Sequence, residues 1–270
     1  MVARRPVPSH RRSPLFGARH HADFRDPHAH FWSDAADGVR LAGTMLGDKE
    51  GGTAVVLAHG FMGYRQKMKN RLLAESLAEH HRVFAFDMRG HGQSGGACTG
   101  GAVEHLDVEA VVQAARSRGF ERVVTVGWSL GGIAVVRHAA EFGGVDGVVA
   151  ISTPSTWGSR SKAVRRTTWI FTSSFGRSLA RHVMRTRIDL CRDMPEPPVA
   201  VVGRIDVPLL IVHGDNDHFF GPEAAHELYA AASEPKRLMI RRGFGHAEEG
   251  FNRGFADDLA REIDALLARV

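Results

Sequence analysis

Ser129 stands in Gly127-Trp128-Ser129-Leu130-Gly131, where a run of apolar β-branched residues gives way to a segment of helical spacing. A strand-to-helix turn at that point forces the serine backbone into a strained conformation and presents its hydroxyl at a helix N-terminus, where backbone N–H groups can face an anion. Flanking residues without a Cβ avoid the clashes of so tight an approach. The chemistry suggested is nucleophilic attack on an acyl carbon. A serine hydroxyl is weak alone, so it needs a base and an acid downstream, in the order serine, acid, histidine. His246 in "GFGH" follows the last apolar run, and "HGDNDHFF" offers Asp215 and Asp217 after the run before it. His246 is expected to accept the serine proton while a carboxylate orients the imidazole and stabilises its charged form.

Such groups need a scaffold. The apolar runs "TAVVLAHG", "RVFAFDMRG", "RVVTVGWS", "GVVAIS", "PLLIVHGD" and "KRLMIRRG" read as buried strands, and helical-period segments such as "NRLLAESLAEH" and "EHLDVEAVVQAARSRG" lie between several of them. That alternation predicts an α/β fold with a mostly parallel central sheet and helices on both faces. Upstream, "FWSDAADGVRLAGTML" sets a turn-like Asp37-Gly38 between two extended stretches, so an antiparallel hairpin is expected to open the sheet. The final "FADDLAREIDALLARV" predicts a helix that packs its Leu and Ala face on the sheet.

With 270 residues, 43% of them hydrophobic, the chain can bury a large core. One domain is expected over residues 31–270, preceded by a basic, flexible tail over 1–30 that lacks the apolar stretch of a secretory signal. No uninterrupted apolar run approaches the ~20 residues of a membrane span. Cys98 and Cys191 form no C-x-x-C pair, which argues against a disulfide framework and makes a cytoplasmic setting the default. Sixteen histidines invite a metal, above all "RHHADFRDPHAH". Those spacings match no closed zinc motif, and a flexible tail would have to be ordered by the ion itself, so no metal is expected. No Gly-rich phosphate fingerprint follows an early strand, and no cofactor is expected either.

The net charge of +5 is unevenly spread: Ser155 to Pro195 carries nine Arg or Lys against two Asp, and the first thirty residues six Arg against two Asp. This leaves an acidic body with a basic segment that could attract an anionic substrate or an anionic membrane surface. No nucleic-acid motif accompanies it, and no nucleic-acid partner is expected.

Four motifs occur in order: "HGFMG", "DMRGHGQSGG", "GWSLGG", and the pair "HGDNDHFF" with "GFGH". With them, residues 31–270 resemble the α/β-hydrolase fold superfamily, in the branch of serine hydrolases that includes monoacylglycerol-lipase-like and S33-peptidase-like proteins. The resemblance implies that Asp217, the final Asp of "HGxxD", is the acid, with Asp215 as runner-up. It also implies that the backbone N–H groups of Phe61 and Leu130 form an oxyanion hole. His59 is expected to support that loop, and Asp87 to Ser94, His91 included, to form a structural turn. At about residues 153–200 the family usually places a helical cap. Trp169, Phe171, Phe175, Leu179 and Val183 fall close to helical spacing there, with Arg177, Arg181 and Arg185 interleaved. Phe61, Trp128, Trp169, Phe171, Phe175, Arg177 and Arg181 are the expected substrate-pocket residues.

The implied activity is hydrolysis of a carboxylic ester or thioester through an acyl-enzyme on Ser129. An apolar stripe with arginines suits a medium or long acyl group with a polar or anionic other end, such as a monoacylglycerol or an acyl-CoA. An S33-type peptidase or amidase, an acyltransferase or perhydrolase, and a non-catalytic ligand-binding protein are the alternatives on the same fold.

Overall fold

The computed structural model describes residues 23–25, 28–49, 52–157, 161–189 and 193–268. Eight strands, β1 (His28–Asp34), β2 (Arg40–Leu46), β3 (Thr53–Ala58), β4 (Arg82–Phe86), β5 (Arg122–Trp128), β6 (Gly147–Ile151), β7 (Leu209–Gly214) and β8 (Lys236–Arg241), form one sheet in the order β1-β2-β4-β3-β5-β6-β7-β8. The expected hairpin is present: β1 and β2 pair antiparallel, and Gly38, at φ 81°, makes the turn between them. β2 also runs antiparallel to β4, and every later pairing is parallel. β3, β6 and β7 are buried along their whole length, as continuous apolar runs in a sheet covered on both faces should be.

The main helices divide between the two faces. α1 (Met68–Ala78) and α8 (Arg253–Leu267) bury Leu73, Leu77, Leu259 and Ile263 on one side, against Val55, Val124 and Val149. On the other side α2 (His105–Arg116), α3 (Leu130–Glu141) and α7 (Glu223–Ala231) bury Val111, Val135 and Leu228 against Val56, Val123 and Val148. Among the described residues, no helix is long and apolar enough to cross a membrane.

Residues 1–22 of the expected tail lie outside the described residues, and the boundary at residue 30 needs correction. β1 begins at His28, and Phe24 is buried in the same core as Leu73 and Leu77. Phe24 and Phe31 each gain enough by burying an aromatic ring to hold this stretch against the sheet.

Between β6 and β7 the chain forms α4 (Lys162–Thr172), α5 (Ser174–His182) and the single turn α6 (Pro198–Val201). The apolar spacing read from the sequence runs through a break at Ser173, whose extended backbone (φ −83°, ψ 143°) ends α4 and whose hydroxyl accepts the Gly176 N–H at 2.8 Å to start α5. After α5 the main chain is tied to the loop after β4: Arg187 N–H donates to Gly90 O at 2.8 Å, Cys98 N–H to Arg187 O at 2.7 Å and Asp189 N–H to Cys98 O at 3.0 Å.

Candidate active site

Ser129 joins β5 to α3 at φ 53° and ψ −114°, a left-handed conformation that costs a non-glycine residue on the order of 1–3 kcal/mol. The glycine after it shows why the turn can be this tight. A Cβ on Gly131 would stand 2.0 Å from Ala58 O and 2.8 Å from His59 O, so the first turn of α3 rests directly on the end of β3. Gly131→Ala is therefore expected to push α3 off β3, with a loss of about 1–3 kcal/mol of stability and of serine reactivity together. Urea unfolding and labelling of the serine check this, and an alanine variant matching the native protein in both would refute the packing argument.

His246 follows β8, and its Nδ1–H donates to Asp217 Oδ2 at 2.8 Å. Asp217 follows β7, and its other oxygen, Oδ1, accepts the N–H groups of Phe219 at 2.8 Å and Phe220 at 3.0 Å. Burial works to raise the Asp217 pKa, but the hydrogen bond and charge of His246 and the two N–H donors outweigh it and hold it below the ordinary carboxylate value. His213, fully buried on β7, donates from Nε2 to Phe220 O at 2.9 Å, and the same nitrogen lies 3.4 Å from Asp217 Oδ2. Asp215 is engaged elsewhere: its Oδ1 accepts the Gly243 N–H at 2.6 Å and closes the turn after β8.

The histidine loop is stapled to the serine turn on both sides. Ala247 N–H donates to Ser152 Oγ at 3.0 Å, and Ser152 directly follows Ile151, whose carbonyl accepts the Ser129 N–H at 3.0 Å. Glu248 accepts from Trp128 Nε1 at 3.4 Å and from Lys67 Nζ at 2.6 Å. The Phe219 ring packs on the imidazole of His246 with centroids 4.5 Å apart. Phe219, Phe220, Ser152 and His213 were not singled out in the sequence. Only the position of the two phenylalanines just after Asp217 could have pointed to them.

The loop carrying Phe61 lies against the serine turn, since a Cβ on Gly60 would meet Ser129 Cβ at 3.4 Å. Leu130 is the first residue of α3, so its N–H belongs to the helical turn that lacks intrahelical acceptors. His59 holds the Phe61 loop: its Nε2 accepts the Met88 N–H at 3.0 Å and its Nδ1–H donates to Gly60 O at 2.8 Å. His91 repeats the pattern, with Nε2 accepting from Met62 N at 3.2 Å and Nδ1–H donating to Arg89 O at 2.9 Å. Asp87 accepts the N–H groups of Arg65 at 2.7 Å and Gln93 at 2.9 Å and forms a buried ion pair with the Arg65 guanidinium. These are structural roles, as expected of that turn.

Both histidines are neutral. Burial pushes His59 down to about 4, and burial together with the neighbouring His59 pushes His91 down to about 3. The unfolded chain takes up the same protons near the ordinary value of about 6.5. Their share of stability is therefore complete above that pH and is lost as pH falls toward 4, at about 1.4 kcal/mol per pH unit for each histidine. Urea unfolding between pH 7 and 5 should show a slope that becomes shallower in His91→Gln than in the native protein, by an amount that approaches one proton toward pH 5; equal slopes would show that His91 titrates normally in the fold.

The expected substrate pocket needs correction in part. Trp128 is buried in the core, edge-to-face with Phe251 at 5.3 Å, because it points to the sheet face covered by α8. Trp169 and Phe175 pair with each other at 6.0 Å and stand 45% and 70% exposed, so they do not enclose a pocket. The Phe171 side chain lies outside the described residues. Phe61 is half-buried, with its ring 6.0 Å from that of His91. Arg177 and Arg181 line a cleft of about 440 Å³ with His182 and Arg187, between α5 and residues 97 and 188.

Residues 53–183 match the family described as the α/β-hydrolase fold. The chain is 26% identical over 215 residues to the uncharacterized protein YfhR of Escherichia coli strain K12, covering 76% of this chain and 69% of that protein. Among solved structures, the esterase Pf2001 of Pyrococcus furiosus superposes with a TM-score of 0.71 at 21% identity, over 91% of this chain and 92% of that one. The esterase RhEst1 of Rhodococcus sp. ECU1013 does so with a TM-score of 0.68 at 19% identity, over 88% and 99%. The sheet order, the match of the central segment and these superpositions agree, and the chain has the α/β-hydrolase fold.

Proposed function

We propose that this chain is a serine hydrolase that cleaves carboxylic esters or thioesters through an acyl-enzyme on Ser129. The observation that carries the reading is the His246–Asp217 pair, joined at 2.8 Å and fastened through Ala247 to Ser152 and through Glu248 to Trp128, the residue before the strained serine. Asp217 keeps the proton on Nδ1 and leaves the Nε2 lone pair to act as base. Ser129 Oγ attacks the acyl carbon as His246 takes its proton. The N–H groups of Phe61 and Leu130 stabilise the oxyanion, an effect typically worth about 3–4 kcal/mol per donor. The leaving alkoxide or thiolate takes the proton from His246. Water then adds to the acyl-enzyme, giving its proton to His246, and the carboxylic acid departs as the proton returns to Ser129. The esterase names of the two structural relatives support an ester over an amide.

A fluorophosphonate probe, read by intact mass and peptide mapping, tests the assignment. One equivalent should attach at Ser129 in the native protein and none in Ser129→Ala or His246→Ala. A folded native protein that stays unlabelled would overturn it.

In the same reading, α4 and α5 form a cap that selects substrates with an anionic end or at an anionic lipid surface. Trp169, Phe175, Val183 and Met184 are exposed on this stretch, Arg177, Arg181 and Arg187 line its cleft, and apolar side chains interleaved in sequence with cations suit an acyl group with a charged terminus. Replacing Arg177 and Arg181 by alanine should lower kcat/KM on anionic esters by about tenfold or more and leave neutral esters unaffected. Equal losses on both substrates would count against the cap as a charge filter.

A further inference from the structure

We propose that Asp23, His28 and His30 form a site for a divalent transition metal, Zn²⁺ by ligand type, at the edge of the sheet. One ligand atom from each of the three lies within 4.8 Å of the others. His28 and His30 are two residues apart on β1, so the strand's two-residue period puts both imidazoles on one face. Their ring centroids are 5.1 Å apart. His28 Nε2 lies 3.4 Å from Asp23 Oδ1, which is about the separation of two ligands held at ~2.0–2.2 Å on a tetrahedral ion. Two imidazoles and a carboxylate are a donor set that suits Zn²⁺, with water at the fourth position.

The neighbouring groups are those a metal-bound histidine requires. His30 Nδ1 lies 3.1 Å from Thr44 Oγ1, so an Nδ1–H donated there fixes the ring and leaves Nε2 bare for the ion. The Arg65 guanidinium, which also reaches Thr44 Oγ1 at 3.0 Å, is neutralised by its buried ion pair with Asp87.

The sequence argued against a metal here because a flexible tail would have to be ordered by the ion itself. That objection does not hold for the folded chain. Phe24 is buried, Arg71 donates to Asp23 O at 3.1 Å, Gln66 donates to Asp23 Oδ1 at 3.1 Å, and Arg25 N–H donates to Glu75 Oε1 at 2.8 Å, so α1 and Gln66 just before it already hold residues 23–25. A bound ion would cross-link residue 23 to the edge strand. The site is separated from β5 and Ser129 by β2, β4 and β3, so it would stabilise the fold without entering the reaction.

The test uses the full chain, freed of metal by chelation and titrated with Co²⁺ and with Zn²⁺ against a chromophoric indicator. The native protein should bind one equivalent, give the strong visible bands of low-coordinate Co²⁺, and melt at higher temperature with added Zn²⁺. His28→Gln and His30→Gln, confirmed as folded by circular dichroism, should each bind at least tenfold more weakly and lose the thermal shift. His226→Gln, on α7 beside β7 and β8 at the other end of the sheet, should bind as the native protein does. Absence of the Co²⁺ bands in the native protein would overturn the proposal without recourse to any variant. So would binding that survives in His28→Gln and His30→Gln, or that disappears in His226→Gln.

Discussion

Ser129→Ala should lower kcat on a simple ester by on the order of 10⁵–10⁶-fold, the loss expected when the nucleophile of a serine–histidine pair is removed. In the proposed mechanism the attack needs an oxygen at the end of β5 that His246 can deprotonate, and alanine supplies none. The residual rate should not disappear, since backbone donors and substrate binding still act without the serine. Melting temperature should stay close to native, as the change removes one oxygen from a half-buried side chain. Steady-state kinetics on the purified variant check this, and a loss of less than tenfold would remove Ser129 from the chemistry.

Asp217→Asn is the second large effect, on the order of 10⁴-fold in kcat. The carboxylate has two jobs on two different oxygens: Oδ1 accepts from Phe219 and Phe220, and Oδ2 accepts from His246 Nδ1. An asparagine must keep its carbonyl toward the two backbone N–H groups, which turns its NH₂ toward the imidazole. His246 would then accept at Nδ1 and carry its proton on Nε2, where it can no longer receive one from Ser129. Asp215→Asn makes the comparison decisive. Its contact is with the Gly243 N–H, which an amide oxygen can still satisfy, and its rate should change by no more than a few-fold. If the two variants behaved the other way round, the orienting carboxylate would be Asp215.

The later strands are legible in the sequence because β3 to β7 lie inside a covered sheet, where strands must be apolar on both faces. β1 is legible only from Phe31 on, as the first arm of the hairpin; its start is not, since His28 and His30 break the apolar pattern and only Phe31 is buried. The order of Ser129, Asp217 and His246 is visible as residue types at strand ends. The contacts that hold them are not, because Phe219, Phe220 and Ser152 act through main-chain donors, ring packing and a single hydroxyl. Helical spacing in residues 169–183 reports that apolar residues recur, but it does not say which way they face. The break at Ser173 and the exposure of Phe175 depend on what α4 and α5 have to pack against.

The seam between Gly90, Cys98 and residues 187–189 is made from main-chain atoms, so it does not depend on the side chains that precede it. The stretch from α4 to α5 can therefore drift in sequence or be exchanged for another while its landing point stays fixed. If the proposed function holds, grafting a foreign insert between Thr153 and Arg187 becomes a way to change which molecules reach Ser129 while the strand ends that carry Ser129, Asp217 and His246 are carried over unchanged.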